Sequence, residues 1–180
     1  MIFNIHSNAS YLSAPCACSC ASGYFFLGSY PVYGDPIQLN SAIHITCTIL
    51  KLVAALAAEA ELGALFLNAQ EAKVLQLTLL ELSHPQPPTP IYIDNTTTVD
   101  IVNKTIKRPH SRAMEMRYIW LLDGKTQKYF KFYYQPRKEN LGNYPSKHHM
   151  ADIHQHVRLY YVHTDKSPTV LPWALKPSIC

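Results

Sequence analysis

Ala57-Ala58-Glu59-Ala60-Glu61-Leu62-Gly63-Ala64-Leu65 opens an apolar run that continues without a proline to Leu82. Within it Leu62, Leu65, Ala69, Ala72, Leu75, Leu79 and Leu82 recur every three or four residues, the spacing of one face of an α-helix. The run predicts a helix of about 25 residues, roughly 38 Å long at 1.5 Å per residue. Glu61 stands one turn before Leu65, on the side that faces the core. An ionised carboxylate there must be paired or metal-bound, because an unpaired buried charge is expensive. From the helix alone, a partly solvated acid favoured by the helix macrodipole is the plainer reading.

Before the helix lie three β-rich runs. Ile2 to Asn8 alternates Phe3 and Ile5 with polar neighbours, and small, turn-forming residues follow to Gly23. Tyr24-Phe25-Phe26-Leu27-Gly28 is a second strand, closed by the Gly34-Asp35-Pro36 loop, and Ile43 to Ile49 belongs to a third. Consecutive strands with short connections read as an antiparallel meander. After the helix, the proline-rich stretch from His84 to Pro90 is a stop and rigid linker. Ile91-Tyr92-Ile93-Asp94 is a short strand ending on a carboxylate. Asn95 to Asn103 and Ala113 to Gln127 read as helices on either side of a basic loop, Lys128 to Gln135 as a fifth strand, and a short helix starts near Asn140. The order β-β-β-α-β-α-α-β-α predicts an α/β fold: a five-stranded mixed sheet, three strands in an antiparallel meander plus two parallel ones, with helices packed on it. Residues 1–149 read as one domain, and 150–180 as a His-, Tyr- and Pro-rich tail with no periodicity that would build it into the core.

Composition narrows the classes. With 180 residues, 48% hydrophobic and 16% charged, the chain can bury a real core and is not a disordered polyelectrolyte. Acids and Lys73 punctuate its longest apolar run, so no membrane span is expected, and the N-terminus lacks the pattern of a signal peptide. Cys16, Cys18 and Cys20 alternate without a second ligand pair at zinc spacing, so reduced thiols in an intracellular protein are expected. His148-His149 and His154-Gln155-His156 likewise lack companions, and these side chains are expected to stay solvated.

Residues 1–50 contain no Lys or Arg, whereas residues 104–158 carry twelve against four acids, an excess of eight positive charges. Tyr129, Tyr133 and Tyr134 interleave with them. A basic, aromatic segment suits a polyanion; a solvated face is the alternative.

The blocks Ala21-Ser-Gly-Tyr-Phe-Phe-Leu-Gly28, Pro36-Ile37, Ala58-Glu-Ala-Glu-Leu-Gly-Ala-Leu65 and Ile93-Asp94-Asn95 occur in this order, followed by Arg112-Ala-Met-Glu-Met-Arg-Tyr118 and Pro136 to Lys147. Together they resemble the ribonuclease H domain of copia-type retrotransposon polyproteins over about residues 1–149. The resemblance implies a ribonuclease H-like fold and cleavage of RNA in RNA–DNA hybrids by four carboxylates and two Mg²⁺ ions. It assigns two of the carboxylates to Glu61 and Asp94. The family's first-strand acid lies in a Ser-Asp-Ala pattern where this chain reads Ser7-Asn8-Ala9, and its last in Leu-Ala-Asp where this chain reads Leu141-Gly142-Asn143. Asp152 in Met150-Ala151-Asp152 mimics that last motif but comes nine residues too late.

Two of the four expected acids are therefore amides, at Asn8 and Asn143. Each lost charge removes several kcal/mol of gross attraction for a cation, since a close pair is worth about 4 kcal/mol at an effective dielectric near 20. Mg²⁺ binding is expected to be weakened by orders of magnitude, and nuclease activity to be weak or absent. Restoring Asp at position 8 or 143 without metal is expected to lower the melting temperature in both cases. The alternative is a non-catalytic module that holds hybrid or duplex on Lys104, Lys107, Arg108, Arg112, Arg117, Arg137, Lys138 and Lys147. A retroelement relic without a selected role is a third reading; the reverse transcriptase domain to which such domains are joined is not in this chain.

Overall fold

The computed structural model describes residues 1–32, 34–52, 54, 56–103, 112–162 and 167–174. Strands β1 (Ile2–Ala14), β2 (Cys18–Gly28) and β3 (Pro36–Ile49) form the antiparallel meander, with Ile5 opposite Phe25 and Phe25 opposite His44. On the other side of β1, β4 (Thr89–Ile93) runs parallel to it, and β5 (Phe130–Tyr134) runs parallel to β4. These are the five strands and the directions expected from the sequence. A sixth, β6 (Val170–Ala174), pairs with β3, giving the order β5-β4-β1-β2-β3-β6. Five residues interrupted by Pro172 carry too little pattern to announce a strand, and proline is tolerated at a sheet edge.

The central strand β1 is buried on both faces from Phe3 to Ser10. Phe3 and Ile5 join Phe25, Leu62, Leu65 and Ile91 in the cluster beneath α1 (Ala57–Glu81), and Leu121 of α3 (Arg112–Thr126) completes it. The periodic face of α1 packs at Leu62, Leu65, Ala69 and Ala72, only partly at Leu75 and Leu79, and Leu82 is exposed. α2 (Thr96–Asn103) starts where the Asn95 side chain caps it, its Oδ1 accepting the Thr98 N–H at 3.0 Å.

Two expectations are corrected. The small residues from Ala9 to Gly23 are not a turn region; they extend β1 and β2 into a long hairpin bent at Pro15–Ala17. Their size is what admits the start of α1 onto the sheet: Ala9, Ala21, Ala60 and Ala64 pack together with Leu50. Among the described residues Cys16, Cys18, Cys20 and Cys47 are free thiols. The stretch after His149 is not merely a tail. Residues Ala151–Tyr161 form α4, whose Tyr160 and Tyr161 pack against Tyr24, Phe26 and Tyr92 on the sheet face opposite α1. Tyr24 Oη donates to Tyr160 O at 2.5 Å, and Tyr161 Oη donates to Leu141 O. Two adjacent tyrosines on one turn anchor this helix, and such anchoring leaves no periodic apolar row in the sequence.

Asn68 pins α1 to the sheet. Its Nδ2 donates to Ser7 Oγ and to Ser22 O, both at 2.8 Å, and its Oδ1 accepts from Thr46 Oγ1 at 3.2 Å, so one buried amide ties the helix to three strands. A Cβ on Gly23 would stand 2.5 Å from that Oδ1, which is why the strand carries glycine there. Asn68→Leu, of similar size, leaves those buried groups unsatisfied and is expected to cost about 2–4 kcal/mol. Urea denaturation measures it; a loss below about 0.5 kcal/mol, the scale of an ordinary surface change, would contradict the pinning role.

Candidate functional site

Where β4 ends beside the middle of β1 and α1 begins, a small set of polar side chains is enclosed. Glu61, in the second turn of α1, is only 7% exposed, and its Oε2 accepts the Ala9 N–H at 3.0 Å. Burial, and then the charge of Asp94, push its carboxyl up to about 8, against opposing pulls from the Ala9 N–H, Lys147 and Arg137. Asp94, just past the end of β4, is also raised, by burial, while Lys147 and Arg137 pull it down. The repulsion between the two acids is mutual, and the more deeply buried Glu61 takes a proton first.

The chain segment after β5 closes this end. Asn140 Nδ2 donates to Ser7 O at 2.9 Å, and its Oδ1 accepts the Gly142 N–H at 2.9 Å. The Leu141 N–H donates to His6 Nδ1 at 3.0 Å, and Ser22 Oγ donates to Gly142 O. Gly142 lies so close to β1 that a Cβ would come within 2.7 Å of His6 O. The short helical turn Leu141–Asn143 is thereby fixed against the middle of β1 and β2, and the chain after it brings Lys147 to the acid pair.

There the amides have partners of their own. Asn8 Nδ2 donates to Ser146 Oγ at 2.9 Å, and Ser146 Oγ donates to Asn143 O at 2.9 Å. This relay sets the orientation of the Asn8 amide and leaves its Oδ1 buried without a partner among the described residues. Asn143 Oδ1 accepts from Lys147 Nζ. Burial and Arg137 lower the Lys147 ammonium, while Asp94 and Glu61 hold it up, so this cation faces the acid pair.

That donor set does not fit a two-Mg²⁺ centre. Hard divalent ions held close together need several anionic oxygens. Here one oxygen of Glu61 is engaged by a backbone N–H, Asn143 Oδ1 is engaged by an ammonium, and Asn8 Oδ1 carries no charge. No group of three or more His, Cys, Asp or Glu that could hold a metal occurs among the described residues. Lys147 supplies positive charge where the acids would otherwise attract an ion.

The five-stranded mixed sheet, with β4 and β5 added in parallel to β1, matches solved structures of known kind. The N-terminal RNase H domain of rv2228c from Mycobacterium tuberculosis superposes with a TM-score of 0.54 at 13% identity, covering 77% of this chain and 84% of that one. RNase H1 from the halophilic archaeon Halobacterium salinarum gives 0.55 at 12% identity, covering 81% and 94%. The chain has a ribonuclease H-like fold. LC11-RNase H1, solved in complex with an RNA/DNA hybrid, gives 0.52 at 11% identity over 77% of this chain and 88% of that one. No protein-family profile and no curated protein matches the sequence.

On this ribonuclease H-like scaffold Glu61, Asp94, Asn8 and Asn143, although distant in sequence, are linked through the Ala9 N–H, Ser146 and Lys147 beside the end of β4. Lys147, read from sequence as part of a basic face, stands at the acid pair itself, and Arg137 acts on the same two acids. Arg117 lies elsewhere, its guanidinium 5.8 Å from the centre of the Phe66 ring on α1. Lys104, Lys107 and Arg108 fall outside the described residues, as does the side chain of Arg112, and Lys138 lines a groove beside α4. Sequence reasoning missed Ser146, which links the two amides, and a lone serine in a turn carries no signal for that. Of the tail histidines, His148, His154 and His156 are exposed, as expected, and His149 is half-buried; His154 Nδ1 is 2.6 Å from Tyr144 Oη and His149 Nε2 is 3.0 Å from Tyr144 O. No helix among the described residues is long and apolar enough to cross a membrane.

Proposed function

We propose that this chain is a retroelement-derived ribonuclease H-like domain of copia type that has lost all or most of its hybrid-cleaving activity. The observation that carries the reading is the ammonium of Lys147 on Asn143, beside an acid pair that has no third carboxylate. In the ancestral activity implied by the resemblance, Mg²⁺ ions would activate water for phosphodiester hydrolysis. The residues present here retain two of the four expected acids, and an internal cation offsets their charge. What remains suited to nucleic acid is the scaffold and its positive charge. Arg137, Lys138 and Lys147, with Arg117 and the basic loop from Lys104 to Arg112, would bind the phosphates of an RNA–DNA hybrid or duplex without base specificity.

The test pairs cleavage with binding. Incubation with an end-labelled RNA–DNA hybrid in Mg²⁺ or Mn²⁺ is expected to give no product above background. Hybrid affinity is expected to fall linearly with salt on logarithmic axes, by about 0.9 in slope for each phosphate contacted. Cleavage at the rate of an intact ribonuclease H would overturn the loss of activity. Absence of salt-dependent binding would overturn the retained nucleic-acid role and leave the relic reading.

A further inference from the structure

The turn that closes the acid centre also forms one wall of a second cavity, of about 460 Å³, whose other wall is α4. That volume falls in the range of small-molecule sites. Its charged lining is two cations, Arg137 and Lys138, from the segment before the turn, against one acid, Asp152 of α4, with Asn140, Asn143, His149 and His156 completing the polar side. Its apolar lining is Leu141 and Tyr144 on one side and Ile153 and Val157 on the other. The Tyr144 ring is held in place by His149, stacked on one face with centroids 5.1 Å apart and an interplanar angle of 14°, and by His154 and Tyr161, 5.5 and 5.0 Å away.

Neither wall depends on a ligand for its placement. Tyr161 Oη ties the end of α4 to Leu141 O, and Tyr24 Oη holds the same turn of α4 at Tyr160 O. A preformed site avoids the entropy of ordering its own walls on binding. A phosphate alone would use the cations and leave the apolar surface empty, and an apolar ligand would leave the cations unused. The geometry points to a nucleoside phosphate as the ligand of this cavity, its phosphate on Arg137 and Lys138 and its base against Tyr144, Ile153 and Val157. The same unit can arrive as a free nucleotide or as the phosphorylated end of a strand. Arg137 and Lys138 are also assigned to hybrid phosphates, so a bound duplex would compete with the nucleotide for them, while the apolar wall from α4 belongs to this cavity.

The experiment is an amide NMR titration of the full ¹⁵N-labelled chain with adenosine 5′-monophosphate, adenosine and inorganic phosphate. Saturable shifts in both the Arg137–Tyr144 segment and α4 are expected with the monophosphate, and none of comparable affinity with adenosine. Val157→Trp, which fills the cavity from α4, should abolish these shifts. Lys138→Gln should weaken binding about tenfold, the equivalent of one charge-assisted hydrogen bond at 1.4 kcal/mol. Should Val157→Trp fail to fold by circular dichroism, the shift map and Lys138→Gln decide. A parallel titration with 5′-phosphorylated and 5′-hydroxyl oligothymidylate separates the sources. Tighter binding of the phosphorylated strand than of the monophosphate assigns the cavity to strand ends, and the reverse assigns it to free nucleotide. Equal binding of adenosine and its monophosphate, shifts that bypass α4, or binding unchanged by both substitutions would overturn the assignment.

Discussion

Glu61→Gln is expected to raise the stability of this chain by about 3 kcal/mol at pH 7 and to leave it nearly unchanged at pH 4. Glutamine keeps an oxygen for the Ala9 N–H and removes the charge. The carboxyl is raised in the folded state from 4.5 to about 8, chiefly by burial and then by Asp94. A group raised in this way contributes stability that is fully present below its unfolded value, near 4.5, and lost as pH climbs through about 8. Asp94 is shifted in the same direction and adds to the same slope.

His6 works from the other side. Burial lowers it from 6.5 to about 3, and its Nδ1 accepts the Leu141 N–H, a bond that protonation would abolish. A depressed imidazole contributes stability that is fully present above 6.5 and lost as pH falls toward 3. Each group has a limiting slope of about 1.4 kcal/mol per pH unit, so between the two unfolded values the slopes oppose and nearly cancel. The wild-type protein is therefore expected to be most stable on a plateau from about pH 4.5 to 6.5, with stability declining on both sides. Urea midpoints across pH measure this. An equal gain from Glu61→Gln at pH 5 and pH 8 would show that Glu61 is not proton-linked to folding.

The second large effect separates two substitutions that look equivalent in sequence. Asn8→Asp is expected to cost about 3 kcal/mol or more without metal, because it buries a new carboxylate with no cation to pair it, beside a Glu61 carboxyl that burial already holds protonated at neutral pH. Asn8 is fully buried, and its Nδ2 donates to a serine oxygen that an aspartate could only repel unless the hydroxyl turned away from Asn143 O. Asn143→Asp places its new charge against Lys147 Nζ, which already bonds to that side chain. Its expected change is within about 1 kcal/mol of zero, the usual yield of a partly exposed ion pair. The sequence-based expectation that both mutants melt lower is thus revised for position 143. In the double mutant the acid set approaches the four carboxylates that the resemblance implies, and its melting temperature is expected to rise with Mg²⁺ by ligand linkage while the wild type stays flat. Thermal scans of all four proteins with and without Mg²⁺ decide it; a wild-type rise equal to that of the double mutant would refute the mismatch between site and metal.

How far the sequence carried depends on the kind of interaction involved. Hydrophobic periodicity is local, so α1, the strand directions and the element order could be read from residues such as Leu62, Leu65 and Ala69. Glu61 and Asp94 drew attention as acids on the core side of a helix and at a strand end, whereas Asn8 and Asn143 came to notice only through the family resemblance, since an amide in a polar stretch carries no signal of its own. The hairpin from Ala9 to Gly23 was misread because small residues signal turns when taken alone, yet here they permit close approach of a helix. The role of α4 was missed because its anchoring rests on hydroxyl bonds from Tyr24 and Tyr161 to distant backbone oxygens.

By itself, then, the sequence determined the fold class and the amides at positions 8 and 143, since both follow from residue type and order. Only the tertiary structure decided which charges and hydrogen bonds meet there. Lys147 looks in sequence like one more surface cation, and Ser146 like a turn residue. Folding the 140–147 segment back onto the middle of β1 brings one into electrostatic contact with Glu61 and Asp94 and makes the other a bridge from the Asn8 side chain to the Asn143 backbone carbonyl. Electrostatic energy depends on distances between side chains remote in sequence, and those distances exist only once the chain has folded.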